Sequence, residues 1–258
     1  DDCSSRGLGD VYKRQPRDGS VVIDDLTEEF GVINLCGPHA RDVLQNVTDD
    51  DISNETLPFS SYADIRVAGH PVRAMRIGYV GELGWEMHMG RENMPAVYRA
   101  LAEAGSQYDI ADVGYRAIDS LRMEKGYLYW SSDISPDYNP FEAGLGFRVN
   151  MKKGDFIGRD ALNAIKENGG PERKIAYFTL EKYMPVYGSE PIMREGRILD
   201  VTTSANFGYT IGKPLVFGYL PVQEFENRNF SVEAFGEVIP ATRHDGPLYD
   251  PEMKKLKL

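Results

Sequence analysis

Alternation of apolar and polar residues dominates the first ninety positions of this chain. A period of two residues is typical of a strand that buries one face. It predicts short strands at 21–23, 32–35, 65–68, 71–79 and 85–89. Gly81 and Gly84 stand between the last two strands, where glycine permits positive φ and close approach of backbones. We therefore expect antiparallel strands whose final hairpin passes through a glycine turn.

The pattern changes twice along the rest of the chain. Apolar residues three or four positions apart predict helices at 95–104, 113–126 and 160–167, and a proline-initiated helix at 37–45. Gly169-Gly170-Pro171 ends this pattern and marks the best domain boundary. Beyond it, the pattern predicts strands typical of a small antiparallel barrel or sandwich, at 175–180, 197–203, 216–220, 230–235 and 237–241. This order predicts an α+β protein, with a mixed domain over 16–170 and an all-β domain over 171–258.

The composition restricts the class of protein and of partner. Hydrophobic residues make up 41% and charged residues 27% of the 258 positions, as in ordinary soluble proteins. No apolar run approaches the ~20 residues that span a membrane. The net charge of −11 argues against a nucleic-acid or anionic-membrane surface. Cys3 and Cys36 are too few for a disulfide framework or a zinc site, so a reducing compartment fits best. We expect Cys36 to be buried as a small hydrophobe.

The first fifteen residues differ from the rest of the chain. They lack a start methionine, a hydrophobic period and the apolar segment of a signal peptide. They resemble translated sequencing-adapter read-through. We expect residues 1–15 to be a non-native or disordered leader, and the remainder to be a fragment whose natural N-terminus is missing.

The most informative segment is residues 79–86, YVGELGWE. An aromatic ring and two carboxylates flank its glycine turn, a combination suited to a flat heterocycle with several N–H donors. About thirty residues later, residues 114–124, GYRAIDSLRME, form an amphipathic helix with an arginine near its start. This pairing resembles the folate-binding core of the aminomethyltransferase (glycine-cleavage T-protein) family.

The resemblance extends over roughly residues 18–250. Similar blocks occur in the family's order at 31–38, 139–145, 155–162, 202–204 and 218–222. Within the family, the sequence most resembles the C-terminal half of sarcosine and dimethylglycine dehydrogenases. Residues 22–27, 139–145 and 247–251 carry this resemblance. The resemblance implies a mixed strand and helix folate-binding domain, followed by a small antiparallel β-barrel domain.

The resemblance also implies a tetrahydrofolate site. Glu86 matches the glutamate that holds the pterin, and Arg116 matches a cofactor-contacting arginine. Taken alone, the residues leave other interpretations open. Glu86 is also an ordinary solvated carboxylate at a strand end, and Arg116 is also an ordinary surface arginine paired with Asp112 or Asp119 at helical spacing.

Two aromatic residues, Tyr79 and Trp130, are further candidates for cofactor binding. Each is expected to form a wall against which the folate ring stacks. A buried aromatic beside a helix is also an ordinary core residue, and for Trp130 the core interpretation is the favoured one.

The catalytic residue is not assigned. Ile23-Asp24-Asp25-Leu26 resembles the segment that holds the family's catalytic aspartate, but it lies much closer to Gly37 than that copy does. We interpret Asp24 and Asp25 as turn residues, with catalysis as the alternative, and expect the catalytic aspartate to be absent from the fragment. No dinucleotide fingerprint, P-loop or nucleophile elbow is present. The four histidines lack metal-ligand spacing, so no metal site is predicted.

The function implied by the resemblance is one-carbon transfer to tetrahydrofolate within an FAD-dependent dehydrogenase. An upstream domain would hold FAD and oxidise an N-methyl amine such as sarcosine or dimethylglycine, and this domain would collect the carbon as methylene-tetrahydrofolate. The fragment alone is expected to be inactive. The alternatives are a stand-alone aminomethyltransferase acting with a lipoyl carrier protein, and a folate-binding module without catalysis. We expect a cytoplasmic protein, or one of the mitochondrial matrix in a eukaryote.

Overall fold

A computed structural model describes residues 18–258, so the expectations for residues 1–15 lie outside the described residues. The chain first forms a four-stranded antiparallel sheet in the order β1-β4-β3-β2. Its strands are β1 (Phe30–Cys36), β2 (Tyr62–Val67), β3 (His70–Met75) and β4 (Gly84–Gly90). β1 lies at one edge of this sheet, whereas β4 is paired on both sides.

One face of the sheet is covered by α1 (Ala40–Gln45) and α2 (Met94–Gly105). Every second residue of β4 enters the core between sheet and helices and is at most 1% exposed: Trp85, Met87 and Met89. Burying a large apolar side chain contributes about 1.5–3 kcal/mol, so these residues hold β4 firmly in register. The residues between them, Glu86 and His88, lie on the opposite face and remain partly exposed.

The second part of the chain is a closed antiparallel barrel of six strands, in the order β10-β5-β8-β7-β6-β9. The strands are β5 (Arg173–Leu180), β6 (Pro191–Arg194), β7 (Arg197–Gly208), β8 (Lys213–Pro221), β9 (Asn229–Ala234) and β10 (Glu237–His244). Gly218 allows the closest packing, because a Cβ there would lie 2.4 Å from Ile192 Cδ1. The predicted α+β class and the antiparallel barrel are therefore confirmed.

Helix α3 (Tyr115–Glu124) packs against β7 and β8 of the barrel, and a further helix, α4 (Arg159–Glu167), precedes the barrel. The loop that follows α3 is anchored by Asp133, whose side chain is fully buried. Its carboxylate accepts hydrogen bonds from Arg122 Nη1 at 2.7 Å and from Thr203 Oγ1 at 2.6 Å. Arg122 Nη2 donates in turn to Ser204 Oγ at 3.0 Å. We call Arg122, Asp133, Thr203 and Ser204 the junction network.

The residues after the barrel return to the first sheet. Arg76 is fully buried, and its Nη2 donates to the main-chain oxygens of Leu256 at 3.2 Å and Leu258 at 2.5 Å. Leu256 itself is 2% exposed. This tail, residues 249–258, therefore ties the barrel to the sheet that carries Glu86.

Two predicted strands differ from the structure, and one observed strand was not predicted. Residues 21–23 form no strand, and Val22 is 80% exposed, because no described strand pairs with them. The predicted strand 71–79 ends at Met75, because its pairing with both β2 and β4 ends there. β6 was missed because four residues are too few to show a period of two.

The expectation that Cys36 is buried is wrong. The thiol side chain is exposed, because its neighbour Leu35 occupies the core side of β1 and adjacent strand residues face opposite ways.

Removing the Asp133 carboxylate should destabilise the whole chain. Asp133→Ala leaves the buried Arg122 guanidinium without its closest partner, and breaking a buried pair in this way costs about 3–5 kcal/mol. The measurement is the free energy of unfolding from denaturant titration followed by circular dichroism.

The matched control is Asp64→Ala. Asp64 pairs with Arg73 at 2.8 Å, but both side chains are more than half exposed. Exposed pairs contribute little, so the control should unfold almost as the unaltered chain does. Equal losses in the two variants would contradict the special role of the junction network.

Candidate functional site

Glu86 is held at the centre of the first sheet. In register it lies opposite Asn34 of β1 and Met75 of β3. Its side chain is 29% exposed and lies on the face opposite the core, together with Asn34 and His88. We call this surface the open face. Strand pairing on both sides fixes the backbone of Glu86 while its carboxylate stays accessible.

Gly84 permits this placement. β1 and the start of β4 approach so closely that a Cβ at Gly84 would lie 2.5 Å from the main-chain oxygen of Leu35 and 3.0 Å from Cys36 Cβ. Real Cβ atoms do not make contacts of 2.5 Å, so only glycine fits this position. The second glycine of the YVGELGWE segment is thus a packing requirement two residues before Glu86.

The turn before β4 is held by the tail. The Tyr249 hydroxyl donates to the Glu82 carboxylate, and Lys255 Nζ donates to the same hydroxyl. Gly81 has a φ of 82°, and a Cβ there would lie 3.0 Å from the Lys125 side chain. Of the two carboxylates in the segment, Glu82 is therefore structural and Glu86 is the accessible one.

Tyr79 joins the turn to the loop after α3. Its hydroxyl donates to the main-chain oxygen of Leu128 at 2.7 Å, and its ring stacks on Tyr127 at 5.9 Å between centroids. Burial raises the pKa of Tyr79 to about 12. The phenol is therefore neutral and its hydroxyl is committed, so that only its half-buried ring is available to a ligand.

Arg116 lies near the start of α3 and is exposed. It forms no ion pair or hydrogen bond with any other residue in the described part of the chain, so the predicted alternative pairing is not observed. Asp112 instead accepts a bond from Tyr98, and Asp119 is paired with Arg122 at 2.8 Å. Arg116 borders a cleft of about 650 Å³ that the barrel lines with aromatic side chains, among them Tyr183, Phe207 and Tyr209.

Trp130 is not a core residue. Its side chain is 65% exposed, which overturns the favoured core interpretation. Trp130 lies in the loop that Asp133 anchors, beside a pair of tyrosine hydroxyls, Tyr115 and Tyr129, 2.7 Å apart. The buried carboxylate of Asp133 fixes this loop, and the indole ring is left at the surface.

The predicted residues do not line one common pocket. A cavity of about 690 Å³ runs from Asn34, the register partner of Glu86, past α2 to Asp112 and to Ile118 of α3, but Glu86 itself does not line it. Arg116 borders the separate cleft on the barrel side. Tyr79 belongs with the loop that carries Trp130.

Some polar residues of this region were not predicted. His88 follows Glu86 by two positions, and the period of a strand would have placed both on one face. Asn34 could not be found in this way, because its position opposite Glu86 depends on the pairing of β1 with β4. The junction network joins residues about 70 positions or more apart, which no local pattern reveals.

Asp24 and Asp25 lie in an exposed turn. Asp25 Oδ1 accepts bonds from the main-chain nitrogen and the hydroxyl of Thr27, and this hydroxyl bond lowers the pKa of the carboxyl. Within residues 18–258, no group of three or more His, Cys, Asp or Glu side chains is arranged to hold a metal ion.

Comparison with known families gives two matches that together cover most of the chain. Residues 5–153 match the family description "GCVT N-terminal domain". Residues 173–250 match "Glycine cleavage T-protein C-terminal barrel domain". The chain belongs to the glycine-cleavage T-protein family. The predicted resemblance is therefore confirmed.

Known relatives include two long mitochondrial enzymes of mouse. The chain is 40% identical to sarcosine dehydrogenase of Mus musculus over 90% of its own length and 26% of that protein. It is 38% identical to dimethylglycine dehydrogenase of Mus musculus over 92% of its length and 28% of that protein. The chain thus spans about a quarter of the length of these two relatives.

A solved T-protein shares the fold. The crystal structure of glycine cleavage system aminomethyltransferase T from Bartonella henselae superposes with a TM-score of 0.75 at 26% identity, over 86% of this chain and 60% of that one. As for membrane insertion, none of the helices within residues 18–258 is long and apolar enough to cross a bilayer.

Gly84→Ala tests the close approach that places Glu86 in this T-protein family sheet. The added Cβ meets the Leu35 carbonyl, so β1 and β4 must separate, at a cost of about 1–3 kcal/mol. Denaturant unfolding measures the loss. Gly246→Ala is the control, since a Cβ there meets nothing within 4 Å. A Gly84 variant as stable as the control would refute the packing argument.

Proposed function

We propose that this chain is the tetrahydrofolate-binding, one-carbon-transfer part of an FAD-dependent dehydrogenase of the sarcosine or dimethylglycine type. The observation that carries the proposal is the Glu86 carboxylate, which is fixed by strand pairing on both sides and accessible on the open face. The names of the two mouse relatives support a dehydrogenase of N-methyl amines. Their greater length is consistent with a further domain that binds FAD.

Glu86 has the chemistry that a pterin ring requires. The exocyclic amino group and the adjacent ring N–H of a pterin are two parallel donors, and a carboxylate accepts such a pair through both oxygens. Asn34 faces Glu86 across the strands and adds an amide that can donate and accept. Such a ligand would lie against the open face.

The remaining candidates serve different parts of the ligand. Tyr79 offers a rigid ring whose hydroxyl is already bonded, and Trp130 offers an exposed indole face. Arg116 is an exposed cation without an acidic partner among the described residues, and folate carries carboxylates. In a chain of net charge −11, such a local cation is what an anionic ligand needs.

Bound tetrahydrofolate would supply the nitrogens N5 and N10, which take up a one-carbon unit to give methylene-tetrahydrofolate. The part of this chain is to hold the ring in one orientation, so that a reactive carbon is captured before water reaches it. The catalytic residue stays unassigned, and Asp24 and Asp25 are turn residues in this proposal. A small N-methyl amine is the second substrate.

A stand-alone aminomethyltransferase is the second candidate, and the T-protein structure from Bartonella henselae favours it. It shares the cofactor site and lacks the flavin. A folate-binding module without catalysis would bind tetrahydrofolate and turn over no amine. The location in this proposal is the mitochondrial matrix in a eukaryote and the cytoplasm otherwise; the two mouse relatives are mitochondrial, which supports the first of these.

Glu86→Gln tests the placement of the pterin. Glutamine keeps the size of the side chain but removes its charge and turns one acceptor into a donor that opposes the ring N–H groups. Loss of charge-assisted hydrogen bonds should weaken tetrahydrofolate binding about 10- to 100-fold. Calorimetric titration under exclusion of oxygen measures the dissociation constant.

Glu92→Gln is the matched control, because Glu92 lies two residues after the end of β4 and is exposed. It should bind tetrahydrofolate as tightly as the unaltered chain. Unchanged affinity of the Glu86 variant would contradict the placement of the pterin at Glu86. Failure of the unaltered chain to bind tetrahydrofolate would contradict the folate proposal.

The coding sequence upstream of Pro16 distinguishes the two enzymes. For a dehydrogenase we expect a long continuous reading frame with a Gly-rich dinucleotide fingerprint near its start. A short frame without the fingerprint would instead make the chain part of a stand-alone aminomethyltransferase.

A further inference from the structure

We propose that His88 is a positioning residue that orients the Glu86 carboxylate toward its ligand and makes folate affinity depend on pH. This inference rests on the proposed function. The two side chains lie on the open face, two residues apart along β4, with 3.7 Å between His88 Nε2 and Glu86 Oε2. No other described residue pairs with Glu86.

The nitrogen that faces Glu86 lacks any partner. His88 Nε2 is shielded from solvent and forms no hydrogen bond with another residue of the described chain. A shielded polar atom without a partner is costly, and the Glu86 carboxylate offers an acceptor 3.7 Å away. A shift of about 0.5–0.9 Å would bring the two atoms to hydrogen-bond distance. Such a bond would fix the carboxylate in one rotamer.

The bond leaves Glu86 free to hold a ligand. A carboxylate has about four lone-pair sites, of which a bidentate ligand uses two. His88 would occupy one further site on Oε2. Its role is therefore indirect: it holds the group that contacts the pterin and makes no contact with the reacting atoms.

The charges around His88 are few. Across β3 its register partner is Arg73, whose Nε is already bonded to Asp64 Oδ1 at 2.8 Å. Across β1 its register partner is the apolar Val32. Along β4 the neighbour on the same face is Glu86. Among the described residues, Asp64 thus neutralises the charge of Arg73. Glu86 is the carboxylate whose interactions change when His88 gains a charge.

The direction of the pH effect follows from the charge of the pair. Neutral His88 donates one hydrogen bond and leaves Glu86 its full negative charge. Protonated His88 cancels that charge, so the bonds from Glu86 to the pterin N–H groups lose their charge assistance. Affinity for tetrahydrofolate should therefore be lower in acidic buffer than at about pH 8.

The experiment compares tetrahydrofolate binding between about pH 5.5 and 8 for the unaltered chain and its variants. His88→Gln keeps a donor but cannot be charged, so it should bind normally at pH 8 and show no loss at low pH. His88→Ala removes the donor and should bind about fivefold more weakly at pH 8. His39→Gln is the control, because His39 forms a separate pair with Asp42 at 3.0 Å on α1. It should follow the unaltered chain at every pH.

The outcomes separate this inference from the proposed function. If the unaltered chain binds tetrahydrofolate and both His88 variants show its affinity and its pH profile, the positioning role is overturned and the folate proposal stands. If the unaltered chain does not bind tetrahydrofolate, the proposed function fails and this inference fails with it. Equal weakening in the Gln and Ala variants would also overturn the positioning role, because the conservative change would then give no rescue.

Discussion

The buried pair of Arg122 and Asp133 is the constraint on which the arrangement of this chain depends. Two charges removed from water are stable only when every lone pair and proton finds a partner. Here the partners come from the end of α3, from the loop after it and from β7. These three segments cannot move apart without exposing an unpaired charge. The position of α3 beside the barrel, and of the surface loop with Trp130, is therefore set from inside the protein.

The first sheet shows how an accessible polar surface can come from the same alternation that builds a core. Each strand residue that enters the core is followed by one that cannot. In β4 the core residues Trp85, Met87 and Met89 fix the register of the strand. The backbone of the residues between them is held in place by the same packing. Glu86 is therefore oriented by the packing of its apolar neighbours, a form of preorganisation that favours ligand binding.

The fold was largely readable from the sequence because its strands and helices are periodic and its domain order is simple. The sheet strands, the longer helices and the barrel were found from residue spacing. Errors arose where tertiary contacts decide. β3 ends at Met75, where its pairing with β2 and β4 ends, and the Arg76 side chain bonds main-chain oxygens of the distant tail. Cys36 is exposed because its neighbour takes the core position, and β6 is too short to show a period.

The site was only partly readable. Glu86 and Arg116 were predicted because the two segments that contain them resemble a known family. The period of a strand could also have placed His88 on the same face as Glu86. The sequence did not predict that Arg116 lacks an acidic partner among the described residues. Asp112 and Asp119 have the right helical spacing for a pair with it, but they bind Tyr98 and Arg122 instead. Local sequence shows which pairs are allowed. Only the fold shows which of them are outcompeted.

The contact between the tail and the turn before β4 joins two segments that are synthesised at different times. The turn that leads into β4 is tied through Glu82 to Tyr249, which lies 167 residues further along the chain. At ribosomal speeds of about 5–20 residues per second, that partner arrives on the order of ten seconds or more after the turn itself has been made. The strand that carries Glu86 is thus synthesised well before the tail that secures the turn leading into it. In a nascent chain this turn lacks its partner until residues 249–258 are in place.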